Sequence, residues 1–138
     1  LRFENSLFKL AAKNKKTVVL PESEDERILR ASEILLKSGA VNLILLGDEN
    51  EVKFEAKKLG VNLSGARFIN LEKNEYTQRL TAALFEARKS KGMSIEQARE
   101  LVRDRTYFAT MLVQEGLAHA MVSGAPLFRS SKPALIAR

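Results

Sequence analysis

Val18-Val19-Leu20-Pro21-Glu22-Ser23-Glu24-Asp25-Glu26-Arg27-Ile28-Leu29-Arg30-Ala31 changes its period partway along. Its first residues are apolar and partly β-branched, the signature of a short strand. Pro21 has no N–H for a sheet ladder and ends that strand. A dense acidic turn follows. Ile28, Leu29, Ala31, Ile34 and Leu35 then recur at helical spacing on one wide stripe. Strand, stop and helix in that order open a βα unit. Ligand sites in α/β proteins lie at such junctions, beyond the carboxyl ends of the strands.

The same alternation extends outward. Upstream, Phe3 to Asn14 reads as a short helix, with Asn5 or Ser6 near its start and Leu7, Leu10 and Ala11 on one face. The helix after Pro21 is expected from Glu24 or Asp25 to Ser38, with Lys37 near the negative end of its dipole and Gly39 as its stop. Val41 to Leu46 is a second apolar strand broken by Gly47, and Asp48 caps a helix to Leu59, with Gly60 as its stop. Arg67-Phe68-Ile69 is a third strand. Tyr76 to Ser90 is a long helix with Leu80, Ala83, Leu84 and Ala87 inward, ended by Gly92. Ser94 and Gln97 form a capping box for the next helix. Thr106 to Glu115 is apolar and helical, His119 to Val122 is a fourth strand, and Ser123-Gly124-Ala125 is the turn after it. Alternating strands and helices predict an α/β fold, a three-layer α/β/α arrangement with a mainly parallel sheet. No internal boundary is visible before Ala125.

Bulk properties narrow the function. The 138 residues are 45% hydrophobic and 29% charged, the balance of a soluble globular domain. The net charge of +6 comes from 23 Lys+Arg against 17 Asp+Glu, interspersed along helices as solvated faces. Lys13, Lys15 and Lys16 form the one early basic cluster, without the basic stripe or interleaved aromatics of a nucleic-acid site. An anionic small molecule is the better-supported partner. The absence of cysteine excludes a disulfide scaffold, a thiol nucleophile and a Cys-based zinc site, and a single histidine, His119, argues against a His-rich metal site. No apolar run approaches the roughly 20 residues of a membrane-spanning helix, and no signal peptide is visible, so the expected compartment is the cytoplasm and no membrane partner is expected.

Three strand exits and one helix end are candidates for chemistry. Pro21 to Arg27 reads either as a ligand loop with Arg27 facing an anion or as an acidic helix start favoured by the dipole. Leu46-Gly47-Asp48 reads as plain turn and cap. Ser123-Gly124-Ala125 lets backbone N–H groups approach an anion closely, and is equally what a tight strand exit looks like. The cations of Arg88-Lys89-Ser90-Lys91-Gly92 suit the negative end of a helix dipole, and suit the phosphates of a nucleotide-like ligand, with Arg able to bind two oxygens at once. His119, at the start of a strand and opposite the expected crevice, reads as structural. No phosphate-binding loop, dinucleotide fingerprint or Ser/His/Asp arrangement occurs. Taken alone, these residues specify no reaction.

The blocks Val19 to Arg27, Leu45-Leu46-Gly47, Glu86 to Ser94, Tyr107-Phe108 and Met121-Val122-Ser123-Gly124-Ala125 resemble, in order and spacing, the motifs of the phosphate acetyltransferase (phosphotransacetylase) family. With the leading helix, the likeness covers Phe3 to Ala125. The leading Phe3 to Ala12 helix is similar to the start of this domain in the long, multidomain form. The resemblance implies a cytoplasmic acyltransferase of acetate metabolism that interconverts acetyl-CoA plus phosphate with acetyl phosphate plus CoA. Coenzyme A is then a substrate, with no tightly bound cofactor, no metal and a homo-oligomeric assembly. In the family the CoA thiolate attacks the acetyl phosphate carbonyl, an aspartate is the base, and arginines with a serine stabilise charge. That logic fits the chemistry, since a thiol needs a base and an oxyanion needs fixed donors. Arg88 matches a family arginine assigned to substrate or CoA binding. Ser123 and Gly124 match the edge of the cleft.

Two departures accompany the likeness. After Ser-Gly-Ala the family continues with a histidine, a serine/threonine-rich turn, an aspartate and an arginine-proline-alanine. Here the chain reads Pro126-Leu127-Phe128-Arg129-Ser130-Ser131-Lys132-Pro133-Ala134-Leu135. Residues 1–125 are therefore taken as the N-terminal part of the family's catalytic region, and 126–138 as a divergent or cloning-derived tail. The family's second arginine is not carried to Lys132. The family's base, its serine–arginine pair and its second domain correspond to sequence beyond this chain, so no catalytic residue is assigned and the chain alone is expected to be inactive. Its start at Leu1 rather than Met suggests a processed chain or a piece of a longer one. The alternative is a phosphotransacetylase-like, acyl-CoA-sensing regulatory domain of a malic enzyme, which sequence encoded upstream of Leu1 would reveal.

Overall fold

The apolar runs that end at Pro21 and at Gly47 become two neighbouring parallel strands. The structure, a computed structural model, describes residues 15–123 and the backbone of 127–129. Its elements are β1 (Lys16–Leu20), α1 (Glu26–Ser38), β2 (Val41–Leu46), α2 (Glu49–Leu59), β3 (Arg67–Ile69), α3 (Thr77–Arg88), α4 (Ile95–Val102), α5 (Arg105–Gln114), β4 (Ala120–Val122) and β5 (Leu127–Arg129). The sheet order is β3-β2-β1-β4-β5. Four strands are parallel, with Val18 opposite Leu43 in β2 and opposite Ala120 in β4, and β5 joins antiparallel on β4. The α/β reading and its layers hold. The helix expected over Phe3 to Asn14 lies outside the described residues.

Successive side chains of a strand point to opposite faces, so a strand covered on both faces must be apolar throughout. Val18, Leu20, Leu43, Leu45 and Val122 pack with Ile28, Leu29 and Leu35 of α1 and with Val52 and Ala56 of α2. Val19, Ile44, Leu46, Ile69 and Met121 pack with Leu80 and Leu84 of α3, Ala98 and Val102 of α4, and the apolar residues of α5. Helix α5 is buried from Phe108 through Val113. It has the sheet on one side and α3 and α4 on the other. A helix enclosed in this way shows no apolar stripe, because every face is apolar.

Several elements depart from the sequence expectation. Helix α3 starts at Thr77 because the Asn74 side-chain carbonyl accepts the N–H groups of Tyr76 and Thr77 at 2.7 and 2.9 Å. It ends at Arg88, and the Lys89–Lys91 turn that follows is a tighter 3-10 turn closed by Gly92 at φ 92. Strand β5 has no counterpart in the sequence reading, which placed no strand beyond Val122.

Asp25 holds the start of α1. Its Oδ1 accepts the Arg27 N–H at 2.8 Å, and its Oδ2 pairs with the Arg27 guanidinium at 3.1 Å. That side-chain hydrogen bond holds the Asp25 carboxyl below its ordinary value of 3.8. A depressed folded value means the stabilisation is present above the ordinary value and is lost as pH falls through the folded one. Asp25→Ala is expected to cost about 1 kcal/mol near neutral pH, the usual worth of a helix cap. Urea unfolding at about pH 7 and about pH 2.5 should show that cost shrinking at the acid end.

Candidate functional site

Strand order identifies the place where a ligand fits. From β1 the chain winds outward through β2 to β3, then returns through α3, α4 and α5 to place β4 on the other side of β1. The winding reverses between β1 and β4. In open α/β sheets ligands bind at such a reversal, beyond the carboxyl ends of the strands. Pro21 and Ser123 leave the sheet on either side of it. The register pairs Val18 with Ala120 and Val19 with Met121, and continuing it sets Pro21 beside Ser123. Ser123 is half-buried directly after β4, and Gly124 lies outside the described residues.

A hollow of about 530 Å³ opens over the ends of β1 and β2. Ser23 and Gly47 form its floor, Glu24, Asp48, Glu51 and Glu55 bring carboxylates to it, and Arg105 reaches in from α5. The floor is closed by chemistry local to the two turns. The Ser23 hydroxyl, 1% exposed, donates to the Leu46 carbonyl, and the Gly47 N–H donates to the Ile69 carbonyl at 2.8 Å. Asp48 is occupied twice: Oδ1 accepts the Glu51 N–H at 3.0 Å and Oδ2 accepts the Asn70 amide at 3.4 Å. Arg105 Nη1 pairs with the Glu24 carboxylate and lies 3.5 Å from the Pro21 carbonyl. Among the described residues, no group of three or more His, Asp or Glu is placed to hold a metal ion.

The first junction thus supports the helix-start reading. Arg27 is turned onto Asp25 with its side chain 75% exposed. Arg105, by contrast, was not a sequence candidate. Starting the helix at Thr106 left it outside, whereas Asp104 caps α5 by accepting the Tyr107 N–H at 3.0 Å and makes Arg105 its first residue. The aspartate before Arg105 was the available signal.

Arg88 occupies a second hollow of about 440 Å³, bordered by Lys91, Gly92, Met93, Gln97, Glu100 and Leu101. The hollow is built by the turn that ends α3. The Gly92 N–H donates to Lys89, the Met93 N–H to Arg88, and the Ser94–Gln97 capping box starts α4. Neither hollow is lined by both Arg88 and Ser123. They are joined through the chain itself, since Leu101 borders one and Arg105 the other across the short α4–α5 turn. His119 stands at the opposite end of the sheet, where its Nδ1 accepts the Thr17 N–H at 2.9 Å and its N–H donates to the Thr17 carbonyl at 2.8 Å. It ties the amino ends of β1 and β4 together. No helix among the described residues is long and apolar enough to cross a membrane.

Known proteins share this arrangement. Residues 2–134 match the family described as phosphate acetyl/butaryl transferase. A phosphate acetyltransferase of Helicobacter pylori is 53% identical over 124 residues, covering 90% of this chain and 24% of that protein. One from Nitratidesulfovibrio vulgaris is 43% identical, covering 89% of this chain and 18% of its own length. Among solved structures, a phosphotransacetylase of Streptococcus pyogenes superposes with a TM-score of 0.78 at 33% identity, covering 99% of this chain and 40% of that one. The EutD phosphotransacetylase of Staphylococcus aureus gives 0.76 at 37% identity, over 89% of this chain and 38% of its own. The chain therefore spans about a fifth to two fifths of these relatives. With the family match running across every described strand and both hollows, the chain belongs to the phosphate acetyl/butaryl transferase family.

Proposed function

We propose that this chain is the N-terminal part of the catalytic region of a phosphate acetyltransferase. Its parent enzyme transfers acetyl between CoA and phosphate. The observation that carries the reading is the family match over residues 2–134, which includes the Arg88 turn and the exit of β4. In this reading Arg88, Ser123 and Gly124 contact the phosphorylated substrates. Arg88 suits that task because a guanidinium presents a planar fork of donors to phosphate oxygens. The parent works in the cytoplasm as a homo-oligomer. Residues 126–138 fall outside the part assigned to substrate binding.

The chain alone is proposed to bind but not to turn over, because the family's base and transition-state donors belong to sequence beyond it. Isothermal titration with CoA tests the binding. Saturable binding that Arg88→Ala weakens about tenfold, the loss of one charge-assisted contact, supports the assignment. Equal binding by chain and variant would remove Arg88 from the site. A coupled assay for thioester formation from acetyl phosphate reads the second half, and robust turnover by the 138 residues would refute it.

A further inference from the structure

We infer that Arg105 is a second anion-binding residue, at the switch point itself, and that Glu24 is the internal counter-ion an incoming phosphoryl or carboxylate group displaces. The inference rests on the reading above that the crevice takes a phosphorylated substrate. Arg105 opens α5, and its guanidinium reaches across to the turn that follows β1. Both contacts it makes there, to the Pro21 carbonyl and the Glu24 carboxylate, use Nη1. A guanidinium has five N–H donors in a fixed fork, and among the described residues Nη2 and Nε have no partner, which leaves them for a second oxygen. The continued register sets Pro21 beside Ser123. Arg105 is therefore held against the strand exit next to the one that carries Ser123.

The surroundings decide from which side an anion approaches. The α2 side of the hollow carries Asp48, Glu51 and Glu55, which repel it. Asp48 is also committed to capping α2 and holding Asn70. That leaves the β4 side, toward Ser123. Glu24 is easily displaced, because its side chain is 63% exposed and an exposed pair of this kind holds weakly. A phosphate carries more charge and more acceptor oxygens than the carboxylate it replaces, and matches the guanidinium fork.

The test titrates the isotope-labelled 138-residue chain with inorganic phosphate, followed by amide signals, with CoA titrated in parallel. Phosphate is expected to shift the amides of Glu22, Ser23, Glu24 and Ser123. Arg105→Ala should weaken binding about tenfold or more, and Arg105→Lys should restore part of it. Glu24→Gln should tighten binding about threefold, a gain that a folding defect cannot produce. No phosphate binding at these amides, binding unaltered by Arg105→Ala, or no gain in Glu24→Gln would each overturn the inference. If CoA still binds through Arg88 in that case, the family-based site stands and Arg105 alone fails. If phosphate behaves as expected while CoA does not bind, Arg105 stands and the CoA reading fails.

Discussion

Phe108→Ala is expected to cost about 3–5 kcal/mol, the range for truncating a large aromatic side chain in a core. Phe108 is 1% exposed and the largest of the fully buried side chains among the described residues. It belongs to the cluster that joins the sheet residues Val19, Ile44, Leu46 and Met121 to α3, α4 and α5. Because α5 is enclosed on both sides, no solvent-facing wall can collapse into the space left behind. A domain of this size has a total stability of about 5–15 kcal/mol, so the variant sits near the edge of folding. Equilibrium urea unfolding measures the loss. Phe54→Ala is the internal control. Phe54 is 62% exposed on α2, and its removal should change stability by less than about 0.5 kcal/mol. Equal costs at the two positions would mean that α5 does not occupy the core as described.

The contrast between the two phenylalanines shows what the sequence could convey. The order of strands and helices was legible because local signals agree: β-branched runs, Pro21 as a stop, Asp25, Asp48 and Ser94 as caps, and Gly39, Gly60 and Gly92 as ends. Val41–Leu46 and Arg67–Ile69 appear where the sequence placed them. Helix α5 was legible as helical and apolar, but the elements that enclose it were not, since a helix without a stripe does not show which neighbour each face meets. Strand β5 was not legible because its three residues gain their strand character from pairing with β4. The candidate site divides in the same way. Arg88 could be singled out from a short motif around a helix end. Arg105 could not, because its partners Pro21 and Glu24 are 84 and 81 residues away along the chain and only the fold brings them together. A shorter separation, 23 residues, hid the role of Ser23. It sits in the opening motif, but its hydroxyl serves the Leu46 carbonyl of the neighbouring strand.

That last contact makes Gly47 the most constrained glycine of the crevice floor. Its φ of 147° is a conformation that side-chain-bearing residues rarely adopt. A Cβ placed there would stand 2.7 Å from the Ser23 hydroxyl oxygen and 3.2 Å from a Val52 methyl. Neither neighbour can retreat cheaply. Ser23 is buried and bonded to the Leu46 carbonyl, and Val52 is buried against the α1–α2 face of the sheet. Gly47→Ala therefore combines about 1–3 kcal/mol of overpacking with about 1–3 kcal/mol of backbone strain. A total near 3 kcal/mol is expected, read by urea unfolding. The two parts can be separated. Ser23→Ala removes the clashing oxygen at the cost of its own hydrogen bond, about 1 kcal/mol. In the double variant the overpacking against Ser23 disappears, because the remaining Ser23 Cβ lies 3.9 Å away, while the φ strain stays. The double variant should then be less destabilised than the sum of the singles by about 1 kcal/mol or more. Strict additivity would show that the cost lies in the backbone and the Val52 contact, with no contribution from the Ser23 hydroxyl.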